Sequence, residues 1–93
     1  MNDERIARMR TLLQAELSAQ QIEITDDSHH HAGHLDADGG GHFSVRIIST
    51  AFTGLSAVQR HRRVFSVLAG MIPNEIHALS IQAHTPDEVG VTA

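Results

Sequence analysis

Histidine is the residue type in this chain with the most chemistry to offer. Eight occur, at positions 29, 30, 31, 34, 42, 61, 77 and 84, in 93 residues that contain no cysteine, tyrosine or tryptophan. His29, His30, His31 and His34 fall in one glycine-flanked stretch, where neutral imidazoles suit borderline metals such as zinc, copper, nickel or iron. Spacing alone is weakly specific. His30 and His34 are four apart, as in a metalloprotease His-x-x-x-His, but that motif needs a helix and an internal Glu, and Gly33 stands between them. A solvated polar loop accounts for the same composition.

Two further groupings carry side chains of interest. His77 shares its parity with Leu79 and Ile81, which predicts an apolar-face position at the head of a strand, where a packing role is commoner than a ligand role. Rigid strand ends do position ligands well, but ligation would require a second group. In Gln59-Arg60-His61-Arg62-Arg63, three guanidiniums are spread around one helix and suit bidentate pairing with phosphate or carboxylate; a solvated face is the alternative. His61 falls on the stripe of Val58 and Phe65 and is expected as a hydrogen-bonded core residue, and His42, before Phe43, is expected to be structural as well. There is no Gly-x-Gly-x-x-Gly, Walker loop, Gly-x-Ser-x-Gly or cysteine nucleophile, so catalysis is not expected.

These groups need elements to hold them. Ile6, Met9, Leu13 and Leu17 recur at three and four, predicting a first helix capped by Asn2 or Asp3 and fading near Ser18–Gln20. Ile22 and Ile24 alternate with polar residues in a first strand, and Phe43, Val45 and Ile47 do so in a second, most simply antiparallel to it. Between them lies the His- and Gly-rich loop 28–41, longer than most connections in compact domains. Ser56 with Gln59 resembles a capping box opening a second helix along Val58, His61, Phe65, Leu68 and Ile72. Gly70 and Pro73 bracket its end, Pro73 is expected to open a single-turn third helix, and His77–Ala83 forms the last strand, leaving 86–93 as a short tail. The expected class is α+β, in the order α-β-β-α-α-β: one domain over 1–93, with helices on one face of a three-stranded mixed sheet.

Charge and composition narrow the function. All seven basic residues are Arg against eleven carboxylates, a net charge of −4, yet residues 42–72 hold four Arg and no carboxylate. Without cysteine, disulfides, zinc ribbons and clusters held on this chain's own thiolates are excluded. The charged start and the lack of a long apolar run point to a soluble, cytoplasmic protein with no membrane contact.

Taken together, Asp27-Ser28, the loop histidines, His42-Phe43, Phe52-Thr53-Gly54, Gln59-Arg60-His61-Arg62 and His77-Ala78-Leu79 resemble the BolA family, in family order across nearly the whole chain. The family's fold is similar to class II KH domains. The resemblance implies a partner of monothiol glutaredoxins, sharing a bridging [2Fe-2S] cluster and glutathione in iron-sulfur trafficking or iron sensing. It puts one ligand on His77 and the second on His31, with His34 as a close alternative. It also implies an apo monomer, a cluster-bridged heterodimer, and a link to stress responses and transcriptional control. Cluster binding of that kind would use only nitrogen ligands from this chain, as in Rieske centres. The alternatives are DNA binding through Arg60, Arg62 and Arg63, and a stand-alone metal-binding loop. DNA is disfavoured by the net charge, the lack of Lys, and Ala69-Gly70-Met71-Ile72-Pro73 where a KH domain has Gly-x-x-Gly.

Overall fold

The structure is a computed structural model that describes residues 2–27 and 41–90. Helix α1 (Asn2–Leu17) presents Met9, Leu13 and Leu17 as the buried stripe, with Ile6 half-buried at its start. It ends at Ser18, which takes a left-handed φ of 46° while its N–H donates to the Gln14 carbonyl. Strand β1 (Gln21–Asp26) follows with strict alternation, Ile22 and Ile24 turned to the core and Glu23 and Thr25 to solvent. Strand β2 (Gly41–Ile48) begins two residues earlier than the Phe43 alternation indicates, because Gly41 already pairs with Ile76. Phe43, Val45 and Ile47 are buried, and His42, Ser44 and Arg46 occupy the other face.

A short three-ten turn, Thr50–Phe52, leads into a turn at Thr53 and Gly54, where a φ of 79° favours glycine. Helix α2 (Ala57–Leu68) opens with the expected capping box: Ser56 Oγ accepts from Gln59 N–H and Gln59 Oε1 accepts from Ser56 N–H. Strand β3 (Ile76–His84) then runs parallel to β2, so the sheet order is β1-β2-β3 with one antiparallel and one parallel pairing. Both long helices cover the same face, and a single core joins Met9, Leu13 and Leu17 to Phe43, Val45 and Ile47, and these to Val64 and Leu68. The opposite face is polar, with a shallow depression of about 230 Å³ lined by Glu23, Thr25, Ser44, Val45, Arg46, Ser80 and Gln82.

Three expectations are corrected. Pro73 opens no helix: a three-ten turn at Ala69–Met71 closes α2 before it, with Ile72 N–H donating to the Ala69 carbonyl, and Glu75 N–H donates to Met71. The stretch after β3 holds a further helix, α3 (Pro86–Val89), rather than only a tail; Pro86 at its first turn is pre-set for helical φ and Gly90 ends it at a φ of 71°. The buried stripe of α2 is Val64 and Leu68 with half-buried Arg60 and Val67 beside it, whereas Val58 and Phe65 are 59% and 40% exposed and His61 is exposed. Two apolar stripes share Leu68 in this helix, and packing against the sheet selects the one with adjacent Val64 and Val67.

One buried hydroxyl ties these parts together. Ser49 is fully buried, donates from Oγ to the Leu17 carbonyl at 2.5 Å, and accepts from Ala51 N–H at 3.0 Å. It thereby satisfies the end of α1 and the start of the turn after β2 at once. Ser49→Ala removes the partner of the buried Leu17 carbonyl and of the part-buried Ala51 N–H, an expected loss of about 1–3 kcal/mol, and each kcal/mol lowers Tm by roughly 4–8 °C in a domain of this size. Thermal melts of the variant check this.

Candidate functional site

The alternation of Leu79 and Ile81 predicts His77 on the apolar face, and β3 departs from it by one residue. Gly41 pairs with Ile76 but His42 pairs with Ala78, so the register shifts between these rungs and His77 is the surplus residue. Ile76 takes the buried position at 1% exposure, Leu79 resumes the core row, and His77 and Ala78 are both exposed. His77 is therefore not a packing residue. Its ring lies 5.6 Å, centroid to centroid, from that of half-buried His42, with the planes inclined at 39°.

The same corner anchors both ends of the histidine-rich segment. Asp27 N–H donates to the His42 carbonyl at 2.7 Å, and Ser44 Oγ hydrogen-bonds Asp27 Oδ2. On the other side Gly41 N–H donates to the Glu75 carbonyl at 3.2 Å. The chain thus leaves and re-enters the sheet beside His42 and His77. His31 and His34 lie outside the described residues. Among the described residues no group of three or more His, Asp or Glu is arranged to hold a metal ion by itself. An open groove of about 450 Å³ lies nearby, between α1 and the turn after α2; Ala7, Thr11, Leu12, Gly70 and Met71 line it, with the ion pair Arg8–Glu75 also on its wall. That pairing, chiefly its hydrogen bond, lowers the Glu75 pKa.

The three arginines of α2 separate into two kinds. Arg60 is only 13% exposed and is used internally: Nε donates to the Leu55 carbonyl at 3.0 Å and Nη1 to the Ala83 carbonyl at 3.1 Å. Its guanidinium also grips Glu88 in a two-pronged pair, at 2.7 and 2.8 Å. It fastens α2 to the end of β3 and to α3, which removes it from the expected binding face. Arg62 and Arg63 are exposed, and His61 stands beside them in solvent rather than in the core.

The family model for BolA-like protein matches residues 13–88. The chain belongs to the BolA-like family. The BolA domain of SufE1 from Arabidopsis thaliana is similar in structure, with a TM-score of 0.81, 45% identity, and coverage of 90% of this chain and 94% of that one. Among curated relatives, SufE-like protein 1, chloroplastic/mitochondrial, of Arabidopsis thaliana is 43% identical over 88 residues, covering 88% of this chain and 24% of that protein. Protein BOLA1, chloroplastic, of the same plant is 41% identical over 90 residues, covering 92% of this chain and 56% of its own length. The chain thus spans only part of the length of these curated relatives.

Within this BolA-like domain, sequence reasoning placed His42 among the structural residues, although its parity with Ser44 and Arg46 already put it on the polar face. Ile76, an apolar residue directly before His77, was the signal for the extra residue in β3. Glu88 was missed altogether, since α3 was not foreseen. Its carboxylate is held down to a pKa of about 2, first by the Arg60 hydrogen bond and then by Thr85 N–H at 3.0 Å. A depressed carboxylate contributes stability in full above its ordinary value near 4.5 and loses it as the pH falls toward about 2. Glu88→Gln should therefore be less stable than wild type at neutral pH, with the gap in Tm closing through that window; melts from about pH 7 to pH 2 measure it.

Proposed function

We propose that this BolA-like chain is a non-catalytic, cytoplasmic partner of a monothiol glutaredoxin, supplying histidine nitrogens to a shared [2Fe-2S] cluster alongside the glutaredoxin's thiolate and glutathione. The observation that carries the reading is the exposed His77, set 5.6 Å from His42 at the corner where Asp27 and Gly41 are bonded to the sheet. His77 is the first ligand. His31 and His34 are the candidates for the second; four residues of chain put His31 within a reach of roughly 14 Å of Asp27. His42 becomes a further nitrogen at the same corner. The donor set fits such a group: imidazoles from a chain without cysteine can complete, but not replace, the thiolates a cluster requires. Bound there, the cluster would supply one-electron chemistry at a potential raised by histidine ligation.

Arg62 and Arg63, with Val58 and Phe65 exposed on the same helix, suit an acidic partner surface. The alternative of DNA binding is weaker once Arg60 is committed to Glu88, because only two arginines of the helix remain to meet phosphates.

Anaerobic titration of a cluster-loaded monothiol glutaredoxin, followed by visible circular dichroism, tests the proposal. Wild type should alter the spectrum with a one-to-one endpoint, His77→Ala should abolish the change, and whichever of His31→Ala, His34→Ala and His42→Ala does the same identifies the second ligand. No spectral change with wild type would overturn the cluster reading. Charge reversal at Arg62 and Arg63 should slow association by about tenfold or more at low salt, since steering by opposite charge acts on the on-rate. An unaltered association rate would make that helix merely solvated, whereas a steep salt-dependent affinity for duplex DNA lost on Arg62→Ala and Arg63→Ala would transfer it to the DNA reading.

A further inference from the structure

The face of the sheet that the two long helices leave uncovered carries two complete cross-strand rows. Ser44 on β2 stands between Thr25 on β1 and Ser80 on β3, and Arg46 stands between Glu23 and Gln82. Partners on one face of neighbouring strands are within reach of each other, so the first row is three hydroxyls and the second is a cation between a carboxylate and an amide. Together they frame the depression of about 230 Å³. It is smaller than the roughly 300–1,000 Å³ of a pocket for a drug-sized ligand, which restricts an occupant to about the size of one amino acid.

The fold makes little use of these polar groups. Ser44 Oγ is committed to Asp27, but among the described residues the side chains of Thr25, Arg46, Ser80 and Gln82 make no hydrogen bond. Arg46 Nη1 stands 3.9 Å from Glu23 Oε2, an ion pair without a hydrogen bond, between a half-buried arginine and an exposed carboxylate. Such a pair contributes little to stability, so a ligand can enter between its members without loss to the fold. The backbone of Arg46 is nevertheless well fixed, because Val45 and Ile47 on either side of it are buried in the central strand. A group that binds from a rigid element keeps its geometry.

We infer that this depression is a binding site for a free α-amino acid with a polar side chain. The ligand's carboxylate takes the planar fork of Arg46, its ammonium takes the Glu23 carboxylate, and its side chain meets the Thr25 and Ser80 hydroxyls and the Gln82 amide. The pattern of charge decides the class. An α-amino acid brings one negative and one positive group close together, matching the adjacent Arg46 and Glu23. A phosphate would set up to two negative charges against Glu23 with one arginine to hold them. An apolar side chain would gain nothing, since Val45, the apolar residue of the lining, turns its side chain to the core. The inference does not depend on the cluster reading.

Heteronuclear NMR titration of the full chain with L-glutamine as the probe tests it. The expected result is a set of saturable shifts at the amides of Glu23, Thr25, Ser44, Arg46, Ser80 and Gln82, with a Kd at or below about 1 mM and no change along α1 or α2. N-acetyl-L-glutamine lacks the ammonium and L-glutamine α-amide lacks the carboxylate, so each should bind about tenfold or more weakly, as should L-glutamine itself to Glu23→Gln and Arg46→Gln. L-leucine, without a polar side chain, should also bind more weakly. If either variant fails to fold, the derivatives on the wild-type chain decide alone. No saturable shift with L-glutamine would overturn the inference. Equal binding of the two derivatives would overturn it as well, and so would an equal response to acetate or inorganic phosphate, which would leave Arg46 as a group that attracts any anion.

Discussion

Because Gly41 pairs with Ile76 and His42 with Ala78, β3 carries one residue more than β2 over the same stretch, and that residue is His77. A strand has a strict period of two, so one inserted residue exchanges the two faces for everything on one side of it. Ile76 can then be buried at 1% exposure while Leu79 and Ile81 still face the core, which a regular strand would forbid. The imidazole is released to solvent beside His42 by the same shift. A regular β3 would have forced a choice between burying Ile76 and burying His77.

The rest of the molecule keeps that corner rigid with few means. Only the central strand is fully covered, through Phe43, Val45 and Ile47, and the outer strands bury their apolar rows by half. In so small a domain, polar clamps supplement the apolar core. Ser49 joins the end of α1 to the end of β2, Arg60 joins α2 to β3 and α3, and Arg8 with Arg5 holds α1 to Glu75, directly ahead of Ile76. The last of these acts two residues from His77, so the turn that sets the register shift is itself anchored. Exposed ion pairs contribute little singly, and their value here lies in fixing geometry.

In the proposed reading, the work of this BolA-like chain is divided between a corner of the sheet and the histidines of residues 28–40. That corner carries His77 and His42, with the exposed Arg62 and Arg63 on the helix that crosses the opposite face. The segment 28–40 brings the other histidines, and its two ends are fixed by Asp27 and Gly41. Arg60, two residues before Arg62, is structural. Neighbouring residues of one type thus serve different ends because a helix turns them to different sides.

The sequence by itself determined the order of the two long helices and the three strands, the mixed three-stranded sheet, the capping box at Ser56, and the cysteine-free, nitrogen-only donor set. Each of these rests on a local pattern: a period of two or near four, a cap three residues from its partner, or a composition. What only the tertiary structure decided is which of two apolar stripes on α2 is buried, hence that His61 is exposed and Arg60 enclosed. It also decided that β3 holds an extra residue, hence that His77 faces solvent, and that residues 86–89 fold back to give Arg60 its carboxylate. These depend on packing between elements distant in the chain. Periodicity describes a helix or a strand alone; it cannot say which face its neighbours will cover, nor where a strand must slip to keep two apolar residues in one core.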